Sequence, residues 1–283
     1  MMKTKKMALL ALCASGALAG CASGAAGPAG TLSAPVAHHQ LSRDTDGTIV
    51  AAQAKLKAAP MDAEAMDTLA GAYLQKVREV GDPGYYPKVE ALLQSALSHD
   101  ARDGQALTLM GSLALARHQF HRALLFGQQA RAALPASASP LGVIVDAETQ
   151  LGDYPAAVAS LQQMVDLKPD LASYARVSYL RELNGDVAGA IDAMKQAVEA
   201  GGPVPENGAY TRTLLGNLYF NSAQLDLAEA QYQQTLAEDP GYPGAIAGMA
   251  RVRAAQRRYP EAIGLYRKAV QAYPLPDSVI ALG

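Results

Sequence analysis

The chain has 283 residues, of which 18% are charged and 50% apolar, with a formal net charge of −2, two cysteines and no tryptophan. That balance excludes the basic stripe that nucleic acid requires, and Arg257-Arg258 is too small to make one. Residues 1–20 are an address rather than part of a fold. Lys3, Lys5 and Lys6 precede an apolar run from Met7 to Leu18, which reads as a secretory signal and is too short for a membrane span. Its removal takes three of the 24 basic residues and none of the 26 acidic ones, leaving 21 against 26, or −5. Cys13 goes with it, so Cys21 alone remains and no internal disulfide is expected. Residues 22–46 are rich in Gly, Ala, Ser and Pro without apolar period, and read as a flexible tether. A coil of that length spans roughly 25–30 Å on average.

Helical spacing begins after the tether. A lone helix is predicted near 48–58, ending at Pro60, where it can cover the open apolar face of the first helix pair. Helix pairs are then expected at 62–79 with 87–99, 103–117 with 120–133, and 139–151 with 154–167. Three more are expected at 170–183 with 187–200, 207–221 with 225–238, and 242–256 with 259–272. The pairs keep phase. Alanines at 123, 157, 190, 228 and 262 are separated by 34, 33, 38 and 34 residues, and an apolar residue precedes each by three. A period near 34 marks a helical-pair repeat. Pro135 and Pro169, like Pro240 and Pro274, lie 34 apart and close second helices. Pro87, Pro155 and Pro260 follow a tyrosine at the first turn of a second helix, where the missing N–H is harmless. Small residues sit midway along each first helix (Ala70, Gly111, Val145, Ser178, Gly216, Ala250), as close packing of two helices demands. Asp277 to Gly283 reads as the start of a seventh unit that stops mid-helix, so the array is expected to be incomplete at its C-terminus or to pack that end on a partner or a second copy.

The phased residues Leu215-Gly216-x-x-Tyr219, then Ala228, Tyr232, Leu236 and Pro240, resemble the tetratricopeptide repeat family. The resemblance covers about residues 48–283 and implies an all-α, right-handed solenoid of antiparallel helix pairs, with about six repeats plus partial units at both ends. The domain division is therefore 1–20 signal, 21–46 tether and 47–283 solenoid. Some positions depart from the pattern. About seven extra residues surround Val80 to Tyr85, and the fourth repeat ends in Gly201-Gly202-Pro203-Val204-Pro205. Glu148, Arg181 and Arg253 stand where the family often has tyrosine, and are expected to loosen packing locally. Leu18-Ala19-Gly20-Cys21 looks like the bacterial lipoprotein signal, in which Cys21 is lipidated and becomes the first mature residue. Several acyl chains anchor firmly where one anchors marginally. Ala22 after the cysteine resembles sorting to an outer membrane, facing the periplasm.

No catalytic constellation stands out, and no cofactor is expected. His118-x-x-His121 has near metal-ligand spacing but straddles a turn and lacks a third ligand nearby, so both read as exposed turn residues. Solenoids of this kind offer a concave groove lined by first helices. The family's groove positions fall here on Gln105, Thr108, Ser112, Asp146, Thr149 and Gln150, then on Tyr179 and Glu182. They continue with Tyr210, Thr213, Asn217, Phe220, Asn221 and Arg251. Asn217 and Asn221 lie one turn apart, and their amides suit a peptide backbone, with Phe220 as an anchor beside them. The resemblance also excludes one subtype. Clamps for C-terminal carboxylates need a lysine early in a groove helix, and the matching positions are Asp67, Thr108, Gly142, Ala175, Thr213 and Ala247. The expected function is thus a non-enzymatic, membrane-anchored scaffold that binds a protein or peptide in the cell envelope, with pilus or secretin assembly favoured among such roles. The competing expectation is a regulatory or substrate-docking arm of a larger envelope enzyme.

Overall fold

A computed structural model describes residues 38–201, 205–273 and 276–282. The signal segment, Cys21 and most of the tether lie outside the described residues. Among the described residues there are fourteen α-helices and no strand. Helix α1 (His38–Ala58) stands alone, and six pairs come after it. They are α2 (Ala63–Val80) with α3 (Tyr86–His99), α4 (Gly104–Ala116) with α5 (Phe120–Ala133), and α6 (Ser139–Gln150) with α7 (Tyr154–Leu167). Next come α8 (Leu171–Leu183) with α9 (Val187–Ala200), α10 (Pro205–Asn221) with α11 (Leu225–Glu238), and α12 (Pro243–Ala255) with α13 (Tyr259–Ala272). The short α14 (Pro276–Ile280) ends the described chain.

One boundary differs from the sequence reading. Helix α1 begins at His38, inside the stretch assigned to the tether. Its later part is tied to α2: Lys76 Nζ sits 2.7 Å from Asp46, and Thr45 Oγ1 donates to Glu79 Oε1 at 2.6 Å. These anchors, with Ala52 buried in the N-terminal core, explain why helix persists where composition alone suggested coil.

The seam within each pair is built from the small residues. Ala70, Val145, Ser178 and Ala250 are buried in the first helices, facing Val89, Ala157, Ala190 and Ala262 in the second. Ser178 Oγ donates to the Ala190 carbonyl at 2.8 Å, so even its polar side chain is satisfied within the seam. Large residues fill the space between repeats, and the core runs along the array as neighbouring clusters.

The turn within each of the last five pairs is also shared. His118, Gly152, Gly185, Ala223 and Arg257 all adopt left-handed backbone, with φ of 56°, 81°, 79°, 59° and 61°. The next N–H in each case reaches back five residues: Gln119 to Ala114 at 2.8 Å, Asp153 to Glu148 at 2.9 Å, and Gln224 to Tyr219 at 2.9 Å. That is the helix-ending pattern in which a left-handed residue lets the last carbonyls find donors. The turn geometry overrides residue preference, since only two of these five positions are glycine.

The expected loosening at Arg253 does not occur. Its guanidinium grips Glu229 with two bonds of 2.6 and 2.7 Å, across the junction of α11 and α12. A bidentate, charge-assisted pair replaces the tyrosine contact with a clamp between the last two repeats. It holds the Glu229 carboxyl below its ordinary range, chiefly through the Arg253 hydrogen bond.

The array curves far enough to meet itself. Gln75 Nε2 on α2 donates to Glu206 Oε2 on α10 at 3.3 Å, across 131 residues of sequence. Arg78 Nε lies 3.7 Å from the same carboxylate. Beyond them, the Tyr273 ring at the end of α13 covers Gly81 so closely that a Cβ there would overlap it. Gly81 also has φ of 69°, so glycine is required twice over.

Candidate partner-binding groove

Six first helices line the inner face, and their polar residues divide into two sets. In the first set the side chain is spent inside the protein. Thr108 Oγ1 donates to the Gly104 carbonyl at 2.7 Å, and Thr149 Oγ1 to the Val145 carbonyl at 2.6 Å, and both are buried. Ser112 Oγ donates to the Thr108 carbonyl at 3.1 Å. Thr213 is buried as well, packed towards Gly244 on α12. These positions carry the groove phase in sequence, but three of the hydroxyls turn back on their own helix and Thr213 is buried against α12.

Asn217 and Phe220 belong to the same set, contrary to the expectation that they greet a peptide. Asn217 Oδ1 accepts from the Tyr232 hydroxyl at 2.8 Å and from the Arg251 guanidinium. Arg251 Nη2 also approaches the Tyr232 oxygen at 3.2 Å, and its guanidinium carbon lies 5.0 Å from the Phe220 ring centre. Tyr232, Asn217, Arg251 and Phe220 thus form one knot joining α10, α11 and α12. Asn221, one turn further on, remains exposed.

The second set is open. Tyr179 is 44% exposed and Tyr210 53% exposed. Gln150 and Gln105 are exposed, and Glu182 is half-buried. Near Tyr210 lies an ion pair that spacing alone did not suggest. Arg176 Nε donates to Asp146 Oδ1 at 2.8 Å and Nη2 to Oδ2 at 2.6 Å, while Nη1 returns to the Ala172 carbonyl at 2.9 Å. Burial pulls on the Arg176 charge, but the Asp146 carboxylate more than offsets it and holds the guanidinium protonated. The Tyr210 hydroxyl is pushed above its ordinary range by burial, with Glu206 and Asp146 adding to it. Tyr242, at the head of α12, is pushed up further by burial and by Glu206, to which it hydrogen bonds.

Glu206 therefore joins three elements: α2 through Gln75 and Arg78, α10 on which it sits, and α12 through Tyr242. It stands in the first turn of α10, where a carboxylate suits the helix dipole. Neither Glu206 nor Arg176 was singled out from sequence. Arg176 was findable, since it lies 30 residues after Asp146 in the neighbouring first helix. Glu206 was not, because its partners Gln75 and Arg78 lie at the other end of the array.

Among the described residues no cluster of three or more metal-ligating side chains occurs, and His118 and His121 are both exposed. Nor is any described helix long and apolar enough to cross a membrane.

The profile of the tetratricopeptide repeat family matches residues 143–205 and 213–275. The fold is a tetratricopeptide-repeat solenoid. Solved structures agree at the level of fold. A human IFIT1 dimer with m7Gppp-AAAA superposes with a TM-score of 0.72 at 15% identity, over 87% of this chain and 60% of that one. The APC/C hetero-tetramer Cut9-Hcn1 gives 0.69 at 16% identity, over 87% of this chain and 48% of that one. A tetratricopeptide repeat protein from Parabacteroides merdae gives 0.61 at 15% identity, over 86% and 91%. The solenoid thus spans about half the length of the Cut9-Hcn1 chain that it matches. No curated protein sequence matches it.

Proposed function

We propose that the solenoid is a non-enzymatic scaffold that holds a protein or peptide in its groove, tethered to the cell envelope through lipidated Cys21. The observation that carries the groove reading is the exposure of Tyr179 and Tyr210 at groove-phase positions of successive first helices. The Tyr210 ring stands near the Arg176–Asp146 ion pair. Tyrosines supply contact area at low entropic cost and are enriched among residues that dominate binding energy. The anchor reading rests on the signal segment and on Cys21 directly after it. An outer-membrane position facing the periplasm, and a role in assembling a pilus or secretin, are the finer forms of this proposal. An RNA such as that in the human IFIT1 complex is disfavoured by the carboxylates of Asp146, Glu182 and Glu206 around the open tyrosines, and by the net charge of −2 over the chain.

Crosslinked capture from envelopes tests the groove. A Tyr179→Ala, Tyr210→Ala double variant is expected to lose a specific partner while its helical signal stays unchanged and its melting temperature falls only slightly, since both side chains are about half-exposed. Capture of the same proteins by both forms would sink the groove reading. The anchor has its own test: Cys21→Ser is expected to move the protein from the membrane to the soluble fraction, and retention in the membrane would overturn lipid attachment.

A further inference from the structure

Where the array meets itself, a cavity of about 690 Å³ opens between α1, α2, α4 and the start of α10. Its lining is acidic. Glu64, Asp67, Glu79, Asp103 and Glu206 contribute five carboxyl groups, and Arg78 the one guanidinium. Most of these are accounted for. Arg78 faces Glu206 at 3.7 Å, and Lys55 holds Glu64 at 3.2 Å on the rim. Glu79 accepts from Thr45 at 2.6 Å and lies 3.8 Å from the Lys76 ammonium, which also reaches Asp46. Asp103 caps α4, accepting from the N–H groups of Gln105 and Ala106 at 3.0 Å each.

Asp67 is the exception. It is 7% exposed, its Oδ1 has no hydrogen-bond partner, and its side chain hydrogen bonds only to another carboxyl, that of Asp103. A buried carboxyl oxygen without a donor is costly, and burial favours the neutral form. Here the group borders a space of the size that holds small ligands. What the site lacks is N–H donors carrying positive charge. A metal ion fits poorly, because among the described residues no three metal-ligating side chains converge. An ammonium or guanidinium group needs only two carboxyls and room for its stem.

We propose that this cavity receives a basic side chain, lysine or arginine, from a protein partner lying in the groove. The source of the cation rests on the scaffold reading; the cavity itself does not. Burial, then the neighbouring Asp103, hold the Asp67 carboxyl at about 7, so the empty cavity keeps a proton there. Entry of the cation releases that proton to solvent. Binding therefore tightens as pH rises through the Asp67 range; the other charged groups about the cavity are the carboxyls of Glu64, Glu79, Asp103 and Glu206 and the cations Lys55, Lys76 and Arg78.

The test is a titration of the isotope-labelled full chain, followed by NMR, with N-acetyl-lysinamide, N-acetyl-argininamide and the neutral N-acetyl-glutaminamide. The two cationic probes are expected to shift the Gly71 and Gln105 amides at the cavity wall, and the neutral one is not. Asp67→Asn is expected to weaken the cations at least tenfold, while Leu125→Ala, at an exposed position of α5 outside both cavity and groove, leaves their affinity unchanged. Equal shifts from the neutral probe, undiminished binding to Asp67→Asn, or the same shifts from calcium chloride would each overturn the proposal. The probes need no partner. Cation binding without any captured protein leaves the cavity standing and removes the scaffold reading; partner capture without cation binding does the reverse.

Discussion

Replacing Tyr232 by alanine is expected to lower the stability of the last two repeats by about 3–5 kcal/mol, the range for removing a fully buried aromatic ring. Tyr232 has no exposed surface. Its ring is flanked by Gly216 on α10 and Gly248 on α12, and a Cβ at Gly216 would come within 2.5 Å of it. The two glycines make a slot that only a ring fills, so the walls cannot easily collapse into the vacated space. The hydroxyl adds a second effect, because it bonds to Asn217 and meets Arg251. Tyr232→Phe isolates that part and is expected to cost about 1 kcal/mol, the usual net value of one hydrogen bond. Hydrogen exchange is the suitable measurement, because a solenoid is held by neighbour contacts and the loss should stay local. Protection should fall in α10, α11 and α12 and persist in α2 to α5. A uniform loss along the chain, or a change below about 1 kcal/mol, would show that the slot is not the hinge of the C-terminal repeats.

The repeat register was legible because each signal is local. The alanine spacing, the prolines at the first turn and the small seam residues report contacts between helices adjacent in sequence, and all six pairs appear within about two residues of their predicted bounds. The facing of individual side chains was less legible. Thr213 and Asn217 share groove phase with Tyr210, yet Thr213 packs at Gly244 and Asn217 bonds to Arg251, both on α12. Which residues of one face a neighbour covers depends on local approach, and sites like Gly244 that admit it become visible only in three dimensions. Closure of the array was not legible at all. It sums small rotations over successive repeats, so nothing near Gln75 announces Glu206, and nothing near Gly81 announces Tyr273. Asp67 shows the limit clearly. Sequence placed it where a carboxylate clamp would need a cation, but only the overlap of α1, α4 and α10 reveals a buried carboxyl facing a cavity.

That burial makes Asp67→Asn a stabilising substitution at neutral pH, which is unusual for a change inside a core. In the folded chain the Asp67 carboxyl is raised from 3.8 to about 7, first by burial and then by Asp103. Asp103 already accepts from two backbone N–H groups, and its side-chain hydrogen bond with Asp67 favours the protonated form of Asp67. A raised acid is a stability loss that grows with pH. Below about 4 both folded and unfolded chains carry the proton and nothing is lost; between 4 and 7 the unfolded chain ionises first and stability falls. Above 7 the penalty is at its largest, on the order of a few kcal/mol once solvent screening at the open cavity is allowed for. Asparagine is neutral throughout and offers Asp103 an N–H donor. The variant is therefore expected to gain about 2–4 kcal/mol over the parent at pH 8, a rise of roughly 5–10 °C in the melting of the N-terminal repeats, and almost nothing at pH 4. Melting curves of both forms across that range decide the matter. A difference that does not change with pH would mean that Asp67 is ionised in the folded chain, its charge met by water or by a cation already held in the cavity. A gain that vanishes when a lysine-bearing partner saturates the wild type would tie the penalty directly to the empty site, since the ligand would supply what asparagine merely removes the need for.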